Sequence, residues 1–149
     1  MTYTGSPELR LVIQRLSRRI RAMQADDQVT EGQRSVLFQL ANHGPQTLGS
    51  LSEREKVTPP SMNRTTNALV AAGLVTRTTA EDDARKIALD LSDAGRAFVR
   101  ETRRRRDAWF TKRLAALTPE QQRILEQATP ILQELRSEER RVGKECRTR

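Results

Sequence analysis

Apolar residues recur near the start of the chain at spacings of four, three, four and three positions. This spacing places side chains along one side of an α-helix, so it predicts a helix with a narrow apolar seam. Arginines occupy the other sides of the same segment. The seam consists of Leu9, Ile13, Leu16, Ile20 and Met23.

Helical periodicity resumes at Thr30, where Thr30 and Gln33 have the spacing of a capping box. The second helix ends at the His-Gly-Pro sequence of residues 43–45, because glycine and proline terminate helices. Leu48 and Leu51 then mark a short third helix.

The fourth predicted helix begins with two consecutive prolines, Pro59 and Pro60, and Thr58 is its predicted N-cap. Proline is tolerated in a first turn because the amides there have no helical partner. The outward face of the first turns of this helix carries small polar side chains, whereas bulky apolar side chains there would keep the helix away from the floor of a DNA groove. Its inward stripe is predicted to be Met62, Thr66, Leu69 and Gly73.

After the fourth helix the period changes to the alternation of β-strands, at residues 74–79 and again at 87–91. The polar sequence AEDDARK between them predicts the tip of a hairpin. Ser92 is the predicted cap of a long helix that follows. Thr118 and Gln121 form a second capping box at the start of the last helix. The apolar stripe of that helix is Ile124, Ala128, Ile131 and Leu135.

These elements predict a mainly α fold with a small β-hairpin wing, in which a helix-turn-helix and its wing lie between long terminal helices. We divide the chain into an N-terminal helix at 1–29, a winged helix-turn-helix at 30–92 and C-terminal helices at 93–136. The segment 137–149, SEERRVGKECRTR, has no helical seam and is expected to be a disordered tail or a non-native extension.

Composition narrows the partners that such a fold would bind. The chain has 149 residues, 36% of them apolar and 3% aromatic, so its core must be aliphatic and lean. The net charge of +8 favours a polyanionic partner, because lysine and arginine gain affinity from phosphate through counterion release. Charge alone does not separate DNA from RNA or from an anionic membrane surface.

Several function classes lack their residues in this sequence. The single Cys146 cannot form an internal disulfide, no apolar run has the roughly 18 residues that span a bilayer, and no signal core is present. We therefore expect a soluble, cytoplasmic protein. One histidine, His43, is too few for a zinc cluster and is interpreted as a helix-end residue. No nucleophile–base pair or phosphate-binding loop is found, so no enzyme, metal or cofactor is predicted.

The fourth helix is the predicted reading helix, because the second helix of a helix-turn-helix lies in the major groove of DNA. Arg64 matches the two acceptors of a guanine edge, and it is equally suited to a backbone phosphate. Asn63 can pair with adenine or bind locally to the backbone. The predicted DNA-binding residues of this helix are Pro60, Ser61, Asn63, Arg64 and Asn67.

The hairpin tip supplies a second candidate contact, through Arg85 and Lys86. A guanidinium on a thin hairpin can enter a minor groove, where a narrow A·T-rich track deepens the negative potential. Because Asp82 and Asp83 precede these cations, a solvated turn remains the alternative interpretation.

The segment from Leu48 to Ser92 resembles the winged helix-turn-helix of the MarR family of bacterial transcriptional regulators, and the resemblance extends over residues 8–136. It rests on VTPPSMNRTTNALVAAGLVTR, on DDARKIALDLSDAGR and on the flanking long helices. The wing pattern of the family is matched by Asp83, Arg85, Leu91 and Ser92.

The resemblance implies a homodimer that binds double-stranded DNA, with Arg85 in the minor groove and Asp83 orienting it through a charge-assisted pair. It also implies a small aromatic or carboxylate effector between the DNA-binding module and the dimer helices. Trp109 and Phe110 either line that crevice or belong to the core.

The apolar seams of the first and last helices lie outside the winged module and need a partner, either a second subunit or each other. The predicted dimerisation residues are Leu9, Ile13, Leu16, Ile20, Ile124, Ile131 and Leu135. Two-fold symmetry would place the reading helices roughly 34 Å apart and predicts an inverted-repeat operator.

The leading hypothesis is a dimeric repressor released by an effector. The alternatives are an architectural DNA-binding protein without sequence preference and a protein-interaction module.

Overall fold

The computed structural model describes residues 5–24 and 28–136. The helices and strands are α1 (Ser6–Ala22), α2 (Glu31–His43), β1 (Gln46–Thr47), α3 (Leu48–Glu55), α4 (Pro59–Ala71), β2 (Val75–Thr79), β3 (Ile87–Leu91), α5 (Asp93–Ala115) and α6 (Pro119–Arg136). The predicted fold class, mainly helical with a small β wing, is confirmed. The predicted tail at 137–149, with Cys146, lies outside the described residues.

The chain forms two compact units, the first ending at Trp109 and the second beginning at Phe110, within α5. The second unit holds the end of α5 and all of α6. Gln122 at the start of α6 donates from Nε2 to the carbonyl of Leu114 at 2.9 Å, which fixes the turn between these two helices. The division of the chain at residues 29 and 92 remains a prediction.

The core of the first unit is aliphatic, as the composition predicts. Met62, Thr66 and Leu69 of α4 are all buried, as the predicted inward stripe requires, but its fourth member, Gly73, lies beyond the end of α4 and is exposed. The hydroxyl of buried Thr66 donates to the carbonyl of Asn63 at 3.1 Å, so this polar group is satisfied within its own helix. The buried apolar residues of this core are Val29, Val36, Leu37, Leu40, Leu51, Met62, Leu69, Val75, Leu89, Leu91, Phe98 and Val99.

The sheet has three antiparallel strands in the order β1-β3-β2, one more than the sequence predicts. The additional strand is β1, whose Gln46 and Thr47 pair with Leu89 and Ala88. Two residues are too few to show an alternating pattern, so β1 has no sequence signal. It ties the loop after α2 to the wing and thereby joins the helix-turn-helix to the hairpin.

The predicted helix caps are present with one exception. Thr30 forms both hydrogen bonds of its capping box, and so does Thr118. Thr58 occupies the N-cap position of α4, but its side chain accepts no capping hydrogen bond. Pro60 has no amide at the second position, so the amide of Ser61 is the remaining donor that Thr58 could accept from, and the structure shows no bond between them.

The start of α5 is fastened to the turn between α4 and β2. Ser92 caps α5 by accepting from the amide of Gly95 at 3.0 Å, and its hydroxyl donates to the carbonyl of Gly73 at 2.5 Å. The amide of Ser92 donates to the carbonyl of Leu74 at 3.1 Å. A Cβ on Gly95 would lie 2.1 Å from the Leu74 carbonyl oxygen, so only glycine allows this approach.

Candidate nucleic-acid interface

The turn that leads into α4 depends on a left-handed residue. Lys56 ends α3 with φ 55° and ψ 43°, a conformation that glycine adopts most readily. The amide of Lys56 donates to Glu53, and the amide of Val57 donates to the carbonyl of Ser52 at 3.1 Å. These bonds close α3 and set the direction in which α4 begins.

The two prolines at the head of α4 change what its N-terminus offers to a phosphate. The first four amide groups of a helix have no hydrogen-bond partner within the helix. Pro59 and Pro60 occupy two of these positions, and proline has no N–H group to donate. The amide of Met62 is already bonded to the carbonyl of Thr58 at 2.9 Å. Among the described residues, the amide of Ser61 is therefore the donor of this first turn that has no hydrogen-bond partner.

The predicted DNA-binding side chains of α4 all lie on its surface. Pro60, Arg64 and Asn67 are spaced four and three positions apart, so they form one line opposite the buried stripe. Ser61 and Asn63 are exposed on the flanks of that line. Among the described residues, the guanidinium of Arg64 has no hydrogen-bonding or ion-pair partner, which leaves all its donors available.

Asn67 makes a contact that the sequence did not predict. The guanidinium of Arg77, on β2, donates from Nη2 to Oδ1 of Asn67. Both side chains are exposed, so the contact lies at the surface between α4 and the wing. The available signal was the strand alternation, which places Arg77 on the same side of β2 as buried Val75.

The wing tip is a closed turn built around Asp83. The amide of Ala80 donates to Lys86, and the amide of Lys86 donates to the backbone carbonyl of Asp83 at 3.0 Å. The carboxylate of Asp83 accepts from the backbone amide of Arg85 at 3.0 Å. Asp83 therefore shapes the backbone below Arg85, which differs from the expected pairing with its guanidinium. Arg85 and Lys86 are exposed.

The predicted dimerisation residues are exposed or half-buried within a single chain. Neither α1 nor α6 has a buried residue among those described. Along α1, Leu9, Ile13 and Leu16 are 38–42% exposed, and Ile20 is half-buried. On α6 the exposed stripe includes Ile124, Ile131 and Leu135.

A cavity of about 770 Å³ lies in the first unit between α1 and α2. Arg34 lines it and is buried to 9% exposure, with Nη2 donating to the carbonyl of Val29 at 3.1 Å. The Nε of Arg34 is buried and has no hydrogen-bond partner among the residues that the structure describes. The lining residues are Ile13, Gln14, Ser17, Arg18, Arg21, Ala22, Gln24, Glu31 and Arg34.

Positive charges accumulate around this cavity. Burial lowers the pKa of the Arg106 guanidinium, and the nearby charges of Arg34 and Arg21 lower it further, while Glu31 opposes them. The lining itself holds one carboxylate, Glu31, and three guanidinium groups, those of Arg18, Arg21 and Arg34. The electrostatics of the cavity favour an anion.

The arginine run on α5 has partners within the chain. Arg103 donates to Oδ1 of Asn42 at 2.7 Å, and Arg106 donates to the carbonyl of Met23 at 3.2 Å. Both guanidinium groups lie over the ring of Phe38, at 5.6 and 4.6 Å from its centroid.

The two middle arginines of the run share a carboxylate. Hydrogen bonds from Arg104, and then from Arg105, hold the pKa of Glu101 at about 2. Arg105 also donates to the carbonyl of Gln24 at 2.8 Å. The arginines of α5 therefore secure the end of α1, and a sequence pattern alone does not reveal these partners.

Two negative findings apply to the described residues. None of their helices is long and apolar enough to cross a membrane. No three of their histidine, cysteine and acidic side chains are grouped to hold a metal ion.

A helix-turn-helix whose second helix presents an exposed polar line, followed by a wing whose tip exposes Arg85 and Lys86, defines a winged helix-turn-helix regulator. The MarR family model matches residues 29–87. An HTH-type transcriptional regulator of Mycobacterium bovis is 37% identical over 125 residues, which are 84% of this chain and 87% of the relative. The chain belongs to the MarR family of transcriptional regulators.

Solved structures share this fold. RV1404 from Mycobacterium tuberculosis matches with a TM-score of 0.77 at 24% identity, over 90% of this chain and 96% of that one. A mutant of S. aureus MepR bound to an oligodeoxyribonucleotide matches with a TM-score of 0.67 at 18% identity, over 90% of this chain and 99% of that one.

Proposed function

We propose that this regulator is a homodimeric repressor that binds an inverted-repeat operator and leaves it when a small anionic effector binds. The observation that carries the proposal is the surface of α4, where the five predicted polar and proline positions are exposed opposite a fully buried stripe. Among the described residues, Asn67 is the member of this surface whose side chain has a partner, so the side chains of Ser61, Asn63 and Arg64 are available to an external one.

The exposed seams of α1 and α6 support the homodimer. Burying a leucine or isoleucine side chain stabilises an assembly by about 1.5–3 kcal/mol. Leu9, Ile13 and Leu16 are still 38–42% exposed in a single chain, so about two fifths of that stabilisation is available to a partner. A second copy offers the same seam and forms a self-complementary interface.

The cations at the DNA-binding surface support two kinds of contact. Arg64 projects from α4, has no partner within residues 5–24 and 28–136, and is suited to a guanine edge or a phosphate in the major groove. Arg85 and Lys86 project from the closed wing tip and are suited to the minor groove and its phosphates.

The cavity between α1 and α2 supports an anionic effector. The buried Nε of Arg34 has no partner in the described part of the chain, and a carboxylate is the group that accepts from a guanidinium most strongly. The cavity adjoins α1, whose seam is proposed to form the dimer. An effector bound there can therefore change the spacing of the two reading helices, provided that it prefers the spacing that does not fit DNA.

Sequence preference is tested by selecting duplexes from a random pool and competing the selected duplex against random DNA. We expect an inverted repeat with half-site centres one helical turn apart and a strong preference for the selected sequence. Equal retention of all duplexes would instead establish an architectural DNA-binding protein. Binding that survives high salt would indicate a protein partner, because phosphate contacts weaken steeply with salt.

The dimer is tested by light scattering of Leu16→Glu, with Leu11→Glu as a matched control. Leu16 and Leu11 are 42% and 41% exposed on the same helix, but Leu11 lies about 140° around it from Leu16, off the seam. We expect Leu16→Glu to be a monomer and Leu11→Glu to remain a dimer. A dimeric Leu16→Glu would place the interface elsewhere.

The effector site is tested with benzoate as the anionic probe and benzamide as its uncharged counterpart. We expect millimolar benzoate to release the operator and raise the melting temperature, and benzamide to do neither. Arg34→Met should abolish the response to benzoate without abolishing operator binding. A benzoate response that Arg34→Met leaves intact would locate the anion at another site.

A further inference from the structure

Asn67 stands in the exposed line of α4, one helical turn beyond Arg64. Its amide oxygen is engaged by the Arg77 guanidinium, which reaches it from β2. Asn67 lies in the part of the surface that is proposed to meet base edges, so this internal contact decides which of its polar atoms a base can meet.

The chemistry of the two side chains fixes the orientation of the amide. A guanidinium has only hydrogen-bond donors, so the group of Asn67 that faces Arg77 must be the oxygen. The Nδ2 group, with its two N–H donors, then points away from Arg77. Arg77 thus holds Asn67 in an orientation that presents donors outward.

This orientation selects among the bases. Asparagine recognises adenine with both of its polar atoms, the oxygen accepting from N6 and the nitrogen donating to N7. When the oxygen is held by a cation, the donors remain, and guanine is the base that offers two acceptors, N7 and O6, in the major groove. Arg64 likewise presents only donors.

We propose that Arg77 is a positioning residue for base specificity: it makes Asn67 a hydrogen-bond donor, so that α4 reads guanine and not adenine at the position opposite Asn67. This inference rests on the proposed sequence-specific binding of DNA. It makes Asn67 and Arg77 one functional pair, although they lie ten residues apart on a helix and a strand.

The pair is tested by selecting operators with the wild-type protein, Asn67→Ala, Arg77→Ala and Arg77→Lys, and with Arg100→Ala as a control. Arg100 is an exposed arginine on α5, so its loss removes the same charge away from α4. The position whose preference relaxes in Asn67→Ala is the one that Asn67 reads. We expect guanine there in the wild type, favoured over adenine by roughly tenfold.

The two substitutions at Arg77 separate positioning from a general role in folding or charge. Arg77→Ala should lose the guanine preference at that one position and gain adenine, because the freed amide can then bind adenine with both atoms. Arg77→Lys still donates to the oxygen and should retain guanine. Arg100→Ala should leave the preference unchanged. Thermal melting confirms that the variants are folded.

An atomic substitution in the DNA completes the test. Replacing the guanine with 7-deazaguanine removes the N7 acceptor and should weaken binding of the wild type severalfold, but not binding of Asn67→Ala. If the wild type selects adenine at the position read by Asn67, the inference is overturned. It is also overturned if Arg77→Ala binds every duplex more weakly by the same factor. Should the wild type select no sequence, the proposed repressor itself would be refuted, an outcome distinct from both.

Discussion

Gly95→Ala tests the attachment of α5 to the helix-turn-helix more directly than any other single substitution. The added Cβ would stand 2.1 Å from the Leu74 carbonyl oxygen and 3.2 Å from Cδ2 of Leu91. Since such contacts are not found below about 3.0 Å, α5 and the turn at Leu74 must separate by about 0.9 Å. That displacement strains the 3.1 Å hydrogen bond from the amide of Ser92 to Leu74.

The magnitude follows from three terms. Overpacking a filled site costs about 1–3 kcal/mol, and weakening the hydrogen bond costs about 0.5–1.5 kcal/mol. Alanine offsets up to about 1 kcal/mol because it favours helix over glycine. We expect Gly95→Ala to lower the free energy of unfolding by about 2 kcal/mol, and the melting temperature by about 4–8 °C.

Gly32→Ala and Gly49→Ala are matched controls, because both glycines also lie in the first turn of a helix. An added Cβ meets nothing within 4 Å at either position, so both variants should gain up to about 1 kcal/mol. Urea denaturation followed by circular dichroism, at one fixed protomer concentration, measures all three. If Gly95→Ala were as stable as Gly49→Ala, the close approach at Leu74 would not exist and the reasoning would fail.

Three further predictions concern the turn, the wing and the arginine run. Lys56→Gly should be more stable than Lys56→Ala by about 1 kcal/mol, because glycine adopts the left-handed conformation without strain; equal stabilities in urea would contradict this. Arg85→Ala should weaken operator binding at least severalfold in a titration at low salt, whereas Arg100→Ala should have little effect. Hydrogen bonds, mainly from Arg104 and then from Arg105, lower the pKa of Glu101 from its ordinary 4.5 to about 2. The ion pair therefore stabilises the fold fully above pH 4.5, and this stabilisation is lost as the pH falls towards 2. Thermal melts of Glu101→Gln should therefore fall slightly below those of the wild type at neutral pH and match them at pH 2.

The sequence predicted those parts of the fold that repeat a local signal over several residues. The seam from Leu9 to Ile20, the stripe of Met62, Thr66 and Leu69 and the capping box at Thr30 each follow from helical spacing or cap chemistry. The structure has these elements at the predicted residues, except that Met23, the last member of the predicted seam, and Gly73, the last member of the predicted stripe, lie just beyond the ends of α1 and α4.

The parts that the sequence did not predict depend on residues distant along the chain. Arg77 is an ordinary strand residue until the fold brings it to Asn67, and buried Arg34 is one arginine among many in a basic sequence. The position of Gly95 had a weak signal, since glycine in the first turn of a long helix needs a packing reason. The hypotheses about Arg64 and Arg85 remain predictions, because their partner is DNA.

The arginine run of α5 has a consequence for how strongly this regulator responds to salt. Arg103 to Arg106 supply four positive charges, yet each is already bonded to an oxygen of its own chain. Each phosphate that a protein neutralises steepens the dependence of log K on log salt by about 0.9. The slope of log K against log salt should therefore reflect the cations of α4 and the wing. A count based on the net charge of +8 would overstate the number of ions released from the duplex.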